Sequence, residues 1–538
     1  MDLLWKKEAD GSYIDIFGRS TGNSNLFSKL FSGLQLAPAK NNTKSTEFRQ
    51  NGNDQKAKER WYHAMRFYNE SLSYAENGSP NVSLAYANRS LCFLKMEMYD
   101  KCITDINFAI KANYPKEKRF KLDERRAYCL ERINNEVEIL APAFDFDANE
   151  NYVGFSNVLD IKFNEKFGRH VVAKCDIAIG KTVLIEEAFG PAQLMDAGQC
   201  VVCNTCYKNT MNFIPCEKCP NTLFCNQTCI DNNKFHKFVC GEVPPPLTSS
   251  VMYDMTSVLF AIDIFQNVDS LIQFVESVIN DKSKTKVVPS AIGDMKSKYR
   301  IFLQLNLLGN AMKRGISLAR ARNVYEKLMG YPTIKTMFST KAKKRFFIHL
   351  CVLHVSIVLS NLFNTNTISG TYLLRSFFNH SCAPNVLFYH YENKCIGITS
   401  RLIRKGEQLF MIYNPTCWST PLNKQPMARI EYEFQCDCEK CKSTNWPNSS
   451  KRIKSDPDIQ YIESFMSEAN GPIDDFSHHQ NYLNIQQRCI NVLNKYGNLP
   501  WTTELNMVSR NFELILSQAC LFSPINFGNL RSRTENKE

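Results

Sequence analysis

The sequence lacks the features that mark several classes of protein. Its N-terminus has no basic stretch followed by an apolar core and a small-residue cleavage site, so we expect no secretory signal and a reducing compartment. A composition of 44% hydrophobic and 22% charged residues is not that of a largely disordered or collagen-like chain. The excess of 65 Lys and Arg over 53 Asp and Glu neither requires nor excludes an acidic partner. A length of 538 residues predicts about three to five domains.

Long apolar runs are also scarce, and one stretch reaches the lower length limit of a membrane span. Residues 346–363, FFIHLCVLHVSIVLSNLF, include His349, His354, Ser356 and Ser360. Because no other part of the chain resembles a membrane segment, we expect this stretch to form a buried helix of a large domain.

Residues 47–140 have a helical pattern that repeats. Small or aromatic residues recur 12, 16 and 19 positions after Gly52 and again after Ser90, an offset of 38 between the two anchors. Those positions are Ala64, Tyr68 and Ser71, followed by Cys102, Ile106 and Ala109. The spacing is that of a helical solenoid of tetratricopeptide (TPR) type with a four-residue insertion, and a third, degenerate unit begins near Lys121. A simple antiparallel helical hairpin is the alternative.

Two stretches further along the chain have the alternation of β-strands. Residues 158–188 predict two or three short strands with turns at Gly168 and Gly180, and residues 385–413 predict strands with turns at 392–394 and 405–406. Residues 252–362 and most of 456–522 have a helical pattern. About 200 residues separate the two strand-rich stretches, which predicts one β-rich domain interrupted by two insertions.

Cysteine is abundant, and eight of the 21 Cys lie in residues 200–240. In a reducing compartment such clustering indicates metal binding. The eight residues with ligand spacing can complete two tetrahedral zinc sites, which would supply much of the folding free energy of so short a segment. They are Cys203, Cys206, Cys216, Cys219, Cys225, Cys229, His236 and Cys240. Cys200 forms a further C-x2-C pair with Cys203, so a shifted ligand set is an alternative.

A second group of thiols lies downstream. Cys436, Cys438 and Cys441 are one ligand short of a closed site. The candidate for the fourth ligand is Cys382, in the string FFNHSCAPNV, and the alternative is completion by water or by Cys417.

FFNHSCAPNV resembles the signature of SET-domain protein-lysine methyltransferases, and residues 203–240 resemble a MYND zinc module. With the split β-rich domain, the Cys-rich tail and the helical ends, residues 47–445 resemble the SMYD (SET and MYND) family in its TPR-bearing branch. The resemblance implies an α+β multidomain fold, a β-rich SET domain split by a MYND module and a helical insertion, between TPR-like repeats and a helical C-terminal region. The implied boundaries are a flexible leader 1–45, TPR-like repeats 46–140, SET N-terminal part 155–195, MYND module 200–241, helical insertion 250–363, SET core 364–415, post-SET zinc tail 416–445 and C-terminal helices 455–525.

The resemblance also implies three zinc sites. In the interleaved MYND arrangement, Cys203, Cys206, Cys225 and Cys229 hold one ion, and Cys216, Cys219, His236 and Cys240 hold the other. Cys382 joins Cys436, Cys438 and Cys441 on a third ion beside the active site.

By the same resemblance the cofactor is S-adenosylmethionine (SAM). The implied SAM contacts are Phe167, Gly168, Arg169, Asn364, Asn379, His380, Tyr413 and Phe434, with Asn361 and Asn366 as competing registers for Asn364. Tyr413 and Tyr432 occupy the positions of active-site tyrosines. His170 stands where many SET domains have Gly, a departure that bears on cofactor affinity and rate more than on the fold.

Methyl transfer to lysine requires a neutral amine aligned with the methyl group and shielded from water, which tyrosine hydroxyls and backbone carbonyls can provide. The resemblance therefore implies a SAM-dependent protein-lysine N-methyltransferase acting on histone or non-histone proteins, in cytoplasm and nucleus, with a role in transcriptional regulation. The alternative is a catalytically weak or inactive adaptor whose MYND and TPR-like regions hold peptide partners such as co-repressor or chromatin proteins. We expect neither direct DNA binding nor a membrane partner, since the sequence has no one-finger cysteine spacing and no long basic stripe.

Overall fold

Helices lie at both ends of the described part of the chain, and the strands lie between them. The computed structural model describes residues 39–133, 142–193, 203–208, 211–220, 222–233, 235–240, 249–265, 267–281, 288–305, 311–364, 368–391, 393–425, 434–444, 446–468 and 479–522. The mixed helical and sheet architecture with a helical N-terminal region agrees with the predicted fold class. The boundaries of the individual domains stay predictions.

The N-terminal region consists of consecutive helices that pack on one another. Asn41 caps the first helix by accepting a hydrogen bond from the Lys44 amide at 3.0 Å, so this helix begins inside the predicted leader, of which residues 1–38 lie outside the described part. A Cβ at Gly52 would lie 2.5 Å from the Tyr68 ring, which explains why only glycine fits at this helix contact. The helices are α1 Asn42–Ala57, α2 Trp61–Tyr74, α3 Pro80–Lys95, α4 Tyr99–Lys111 and α5 Phe120–Leu130. Their packing as helical hairpins is compatible with the TPR assignment, which stays a prediction.

A buried charged cluster joins these helices to the cysteine-rich segment. Arg89 Nε lies 2.6 Å from Asp105 Oδ2, and neither side chain is accessible to solvent. Asn212 donates to Asp105 Oδ1 at 2.8 Å, and Arg89 donates to the Phe213 carbonyl at 3.1 Å. Burial raises the pKa of Asp105, and the adjacent guanidinium opposes this change. The hydrogen bonds offset the desolvation of the ion pair and hold residues 212–213 against α3 and α4.

The strands form several small sheets. The bounds are β1 Leu159–Asn164, β2 Gly168–Ala173, β3 Thr182–Glu187, β4 Phe189–Gln193, β5 Ile214–Pro215, β6 Leu223–Phe224, β7 Phe363–Asn364, β8 Ile368–Thr371, β9 Asn379–His380, β10 Val386–Tyr391, β11 Lys394–Thr399 and β12 Phe410–Met411. Strands β1 and β2 make an antiparallel hairpin, β10, β11 and β3 make a three-stranded antiparallel sheet, and β4, β8 and β7 make another. Strands β9 and β12 pair in parallel, and β5 pairs with β6 in the cysteine-rich segment.

Two of these sheets combine strands that are distant in sequence. Strand β3 pairs with β11, with Ile185 opposite Ile396, and β4 pairs with β8, with Phe189 opposite Thr371. The residues between these partners include the cysteine-rich segment and most of a helical region. The pairing is compatible with one β-rich unit interrupted by insertions, a layout that stays a prediction.

Between β6 and β7, most of the described residues are helical. Helix α13 (Lys341–Asn361) contains the apolar stretch 346–363 almost entirely, and its residues from Phe346 to Val355 are buried in the largest hydrophobic core, as predicted. Among the described residues no single helix is long and apolar enough to cross a bilayer, although Val251–Ile264 and Val268–Ile279, bent by 107°, would qualify together by length and composition. The helices are α6 Gln227–Asp231, α7 His236–Val239, α8 Ser249–Ile264, α9 Val268–Ile279, α10 Met295–Leu303, α11 Ala311–Gly330, α12 Pro332–Met337 and α13 Lys341–Asn361.

The C-terminal helices share a second core with the sheet that contains β10. Helix α18 (Thr503–Phe522) packs on β10, and Phe512 and Leu516 lie in one apolar cluster with Leu387. These helices are α14 Glu439–Lys442, α15 Lys451–Lys454, α16 Pro457–Glu468, α17 His479–Tyr496 and α18 Thr503–Phe522.

Candidate cofactor site and zinc centres

The segment Asn379–His380 is positioned from both sides by backbone contacts. Strand β9 pairs with β12, and the Ser381 amide donates to the Met411 carbonyl at 2.8 Å. In the segment that precedes β9 in the chain, the Leu374 and Arg375 amides donate hydrogen bonds to the Glu186 carboxylate at 2.7 and 2.9 Å. Burial raises the pKa of Glu186 to about 7. The first half of the β-structure therefore fixes the turn that leads into the NHSC sequence.

His380 connects the predicted cofactor residues with the predicted zinc tail. Its Nδ1 atom accepts a hydrogen bond from the Tyr413 amide at 3.0 Å, and its Nε2 atom lies 3.3 Å from Cys382 Sγ. Because the amide is a donor, Nδ1 must be the unprotonated nitrogen, so a neutral ring carries its proton on Nε2, facing the sulfur.

Three aromatic residues predicted to form the site lie together. Ring centroids are 5.3 Å apart for His380 and Tyr413, 5.9 Å for His380 and Phe434, and 6.3 Å for Tyr413 and Phe434. The Tyr413 hydroxyl donates to the Phe378 carbonyl at 3.0 Å, while 37% of Phe434 remains exposed. The cluster therefore has an ordered hydroxyl and carbonyl pair with an accessible aromatic residue beside it.

The turn between β1 and β2 reaches the same region. Gly168 has φ +64°, in the left-handed region that favours glycine, and a Cβ there would meet no atom within 4 Å. Asn379 Nδ2 donates to the Phe167 carbonyl at 3.0 Å. The turn at Phe167 and Gly168 thus lies beside Asn379 and His380, with free space where a Gly168 side chain would extend.

Arg169, predicted as a SAM contact, extends toward the helical region. Its Nη2 donates to the Gln304 carbonyl at 2.7 Å, its guanidinium lies 5.1 Å from the Phe377 ring centroid, and burial lowers its pKa. His170 lies beneath the turn, with Nδ1 2.9 Å from the Gly168 carbonyl oxygen. This imidazole occupies space that glycine would leave open.

The competing asparagines are only partly described. Asn361 donates to the Ile357 carbonyl of its own helix at 2.9 Å. Asn364 belongs to β7, but its side chain lies outside the described residues, as do Asn366 and Tyr432. The assignment of Asn364 to SAM and of Tyr432 to catalysis stays a prediction.

The cysteine-rich segment brings its predicted ligands into two groups, with the ligand atoms of each group within 4.8 Å of one another. One group consists of Cys203, Cys206, Cys225 and Cys229, and the other of Cys216, Cys219, His236 and Cys240. These are the interleaved sets that the family resemblance implies. The hairpin of β5 and β6 produces the interleaving by returning the chain between ligand pairs.

The donor atoms fit zinc. Zn–S bonds of about 2.3 Å in a tetrahedron place sulfurs about 3.8 Å apart. The Sγ atoms of Cys206 and Cys225 are 3.8 Å apart, as are those of Cys216 and Cys240. His236 directs Nε2 toward Cys216 Sγ at 3.1 Å, while its Nδ1 lies 3.2 Å from Thr222 Oγ1, the kind of outer contact that orients a metal-binding imidazole.

A third group combines Cys382 with the cysteine-rich tail. Its members, Cys382, Cys436, Cys438 and Cys441, also have sulfurs within 4.8 Å of one another, and Cys382 Sγ lies 3.6 Å from Cys441 Sγ. The Leu422 amide donates to Cys382 Sγ at 3.1 Å, which favours a thiolate. Cys417 forms an overlapping group with Cys382 and His380, so it remains an alternative ligand.

The sequence is similar to those of several known proteins. A family model described as SET domain matches residues 168–414. The chain is 25% identical over 218 residues to "Protein-lysine N-methyltransferase SMYD4" of Danio rerio, covering 36% of this chain and 29% of that protein. It is 20% identical over 536 residues to the protein of the same name from Homo sapiens, covering 74% of this chain and 66% of that protein. These matches support the assignment of the chain to the SMYD family.

Other SMYD-like relatives include "SET domain and MYND-type zinc finger protein 6" of Schizosaccharomyces pombe, 21% identical over 280 residues that cover 52% of this chain and 50% of that protein. The chain thus spans between 29% and 66% of the length of these three relatives.

Several residues that support the third cysteine group were not predicted. Asn423 donates to the Cys436 carbonyl at 2.6 Å and accepts from the Cys436 amide at 3.2 Å. Lys440, between two tail cysteines, is buried, and its Nζ donates to the Cys417 carbonyl and to Asn506 Oδ1, both at 2.8 Å. Burial lowers the pKa of Lys440 to about 8. The C-x-C-x2-C spacing predicted the cysteines of the tail, but it did not predict the roles of Asn423, Lys440 or Glu186.

Proposed function

We propose that the protein is a SAM-dependent protein-lysine N-methyltransferase. The SET-domain match and the names of the relatives support this activity. The observation that carries the proposal is the junction at Asn379–His380, where the Gly168 turn, Tyr413 and Phe434 meet. Such a junction suits a ligand with a planar ring and several polar atoms.

The residues at this junction fit SAM. The open space at Gly168 would let the ligand approach the backbone, and the part-exposed Phe434 ring offers a surface for the adenine. The bond from Asn379 to the Phe167 carbonyl would keep the turn beside β9. SAM, when bound, would supply an electrophilic methyl group on its sulfonium.

The chain's own part in the reaction would be orientation of the lysine amine. The Tyr413 hydroxyl and the Phe378 carbonyl, already hydrogen-bonded, are polar atoms that can position an amine without a protein nucleophile. Tyr413 itself is held through its amide by His380. Surrounding apolar side chains, including the buried Phe378, would exclude water from the site.

We also propose that the three groups of thiol and imidazole ligands hold zinc. The first two ions would stabilise the cysteine-rich segment, whose own apolar cluster is small. The third would fix the tail that carries Phe434 beside His380, so its loss would disorder one wall of the proposed SAM site.

One observation favours the adaptor as a second candidate. The His170 imidazole packs 5.8 Å from the Phe167 ring, where many SET domains have glycine, and so reduces the space beneath the turn. An adaptor would still bind peptide partners, such as co-repressor or chromatin proteins, through its MYND and TPR-like regions.

The experiment that separates the two candidates uses full-length, zinc-loaded protein with SAM labelled in its methyl group and a proteome extract. We expect label on at least one protein with wild type and strongly reduced label with Tyr432→Phe, at unchanged zinc content and folding. Absence of label with wild type would overturn the methyltransferase in favour of the adaptor, and unchanged label with Tyr432→Phe would remove Tyr432 from the active site.

A further inference from the structure

Arg375 is buried near the proposed SAM site, and its guanidinium lies between two aromatic rings. The Cζ atom is 3.6 Å from the ring centroid of Phe363 on β7 and 4.9 Å from that of Phe388 on β10. Only 7% of Arg375 is exposed. A planar guanidinium stacks favourably on aromatic rings, and the attraction is larger when the groups are shielded from water. The Arg375 side chain therefore connects two strands that belong to different sheets.

The backbone of the same residue belongs to the segment that leads into Asn379. The Arg375 amide donates to the Glu186 carboxylate at 2.9 Å, and Arg375 begins a short 3₁₀ helix that ends just before β9. Strand β7, on which the guanidinium stacks, ends at Asn364. Arg375 thus joins the two segments that carry the asparagines predicted to contact SAM.

The guanidinium has neutral hydrogen-bond partners among the described residues. Its Nη1 atom lies 3.4 Å from His390 Nε2 and 3.6 Å from Cys395 Sγ, while its Nε atom is buried and has no partner in that part of the chain. Burial lowers the pKa of His390 to about 3, so this imidazole is neutral and can accept the hydrogen bond. A buried cation with an unpaired N–H costs free energy that an apolar side chain would not. This cost indicates that Arg375 contributes something other than stability.

We propose that Arg375 is a positioning residue for SAM binding, which stacks on Phe363 and thereby fixes strand β7 relative to the segment that carries Asn379. The proposal rests on the proposed function, because its consequence is the affinity for SAM. Lysine cannot replace the contact, since its ammonium is a compact point charge and does not stack flat on a ring. The Tyr413 hydroxyl and the Phe378 carbonyl are held by their own hydrogen bond, so a change at the guanidinium should affect SAM affinity more than the rate of transfer.

The test compares Arg375→Lys, Phe363→Leu and the double variant with wild type, all full-length and loaded with zinc. We expect each single variant to weaken SAM binding by about tenfold in calorimetric titration, the loss of one shielded cation–π contact. The double variant should lose no more than either single variant, because both substitutions remove the same contact. At saturating SAM, the single-turnover rate of methyl transfer should change by less than about threefold. Without SAM, amide hydrogen exchange in β7 should be faster in Arg375→Lys than in wild type.

The matched control is Arg404→Lys, the same substitution at an arginine whose side chain is 68% exposed, which should bind SAM as wild type does. Because Phe363 is only partly buried, Phe363→Leu keeps the test valid if Arg375→Lys does not fold. Unchanged SAM affinity in the single variants, losses that add in the double variant, an equal loss in Arg404→Lys, or unchanged hydrogen exchange in β7 would overturn the proposal. Absence of SAM binding by wild type would instead overturn the proposed function, so the two failures are distinguishable.

Discussion

The Nε2 atom of His380 lies 3.3 Å from the Sγ atom of Cys382. The Tyr413 amide occupies the other ring nitrogen, so the proton of the neutral imidazole points at the sulfur. The His380 side chain therefore connects the proposed active-site tyrosine to the proposed third zinc ion, and a substitution at either group should affect the other.

His380→Ala should weaken SAM binding by about tenfold or more, because it removes a predicted ligand contact and leaves the Tyr413 amide without its partner. Isothermal titration calorimetry with SAM measures the change. His63→Ala, on α2 and outside the proposed site, is the control and should bind as wild type does. Unchanged SAM affinity in His380→Ala would contradict the role given to this residue.

Cys438→Ser should reduce the zinc content from three ions per chain to two, since serine does not replace a thiolate ligand well. Elemental analysis of the purified protein gives the count. Cys175→Ser, at an exposed cysteine outside all three groups, should keep three ions. Retention of three ions by Cys438→Ser would mean that Cys417 takes the vacant position, and a Cys417→Ser and Cys438→Ser double variant would then lose the third ion.

Glu186→Gln should change the pH dependence of stability. The pKa of Glu186 rises from 4.5 to about 7 on folding, so between these values the folded protein binds more protons than the unfolded chain. Wild-type stability attributable to this group is therefore full below about pH 4.5 and is lost as the pH rises to 7. Glutamine does not titrate. The free energy of unfolding of wild type minus that of Glu186→Gln should therefore be about 2 kcal/mol larger at pH 5.5 than at pH 8.

Urea unfolding followed by tryptophan fluorescence at both pH values gives this difference. Zinc release contributes equally to the unfolding of both proteins, so its contribution cancels from the difference. A difference between the two proteins that does not vary with pH would show that Glu186 is ionised throughout and holds the Leu374 and Arg375 amides as a carboxylate.

Tyr413→Phe should lower the rate of methyl transfer by about tenfold and change SAM affinity little. The substitution removes only the hydroxyl that donates to Phe378 and keeps the ring between His380 and Phe434. Single-turnover transfer from labelled SAM, combined with calorimetry, separates the two quantities. If SAM affinity fell as much as the rate, the hydroxyl would act in cofactor binding and not in amine orientation.

The sequence predicted the parts of this molecule that depend on local spacing. The recurrence of small residues after Gly52 predicted the helical N-terminal region, because close helix contacts require them at fixed intervals. The metal-type spacing of residues 203–240 predicted eight ligands, although their division into two sets came only from the family resemblance, since it depends on how the β5 and β6 hairpin returns the chain.

Contacts between distant segments could not be predicted in this way. Glu186 binds amides 188 and 189 positions later, and Lys440 binds Asn506, 66 positions later. Each looks like an ordinary surface charge in sequence, and only the tertiary fold buries it. The roles of Asn364 and Tyr432 stay predictions for the separate reason that the described residues do not include their side chains.

Calorimetric titration of SAM into zinc-loaded, full-length protein measures whether this chain binds SAM at the junction of Gly168, His380 and Phe434. We expect saturable heat with one SAM bound per chain, weakened by His380→Ala and retained in His63→Ala. No heat of binding from protein that holds three zinc ions would contradict this expectation.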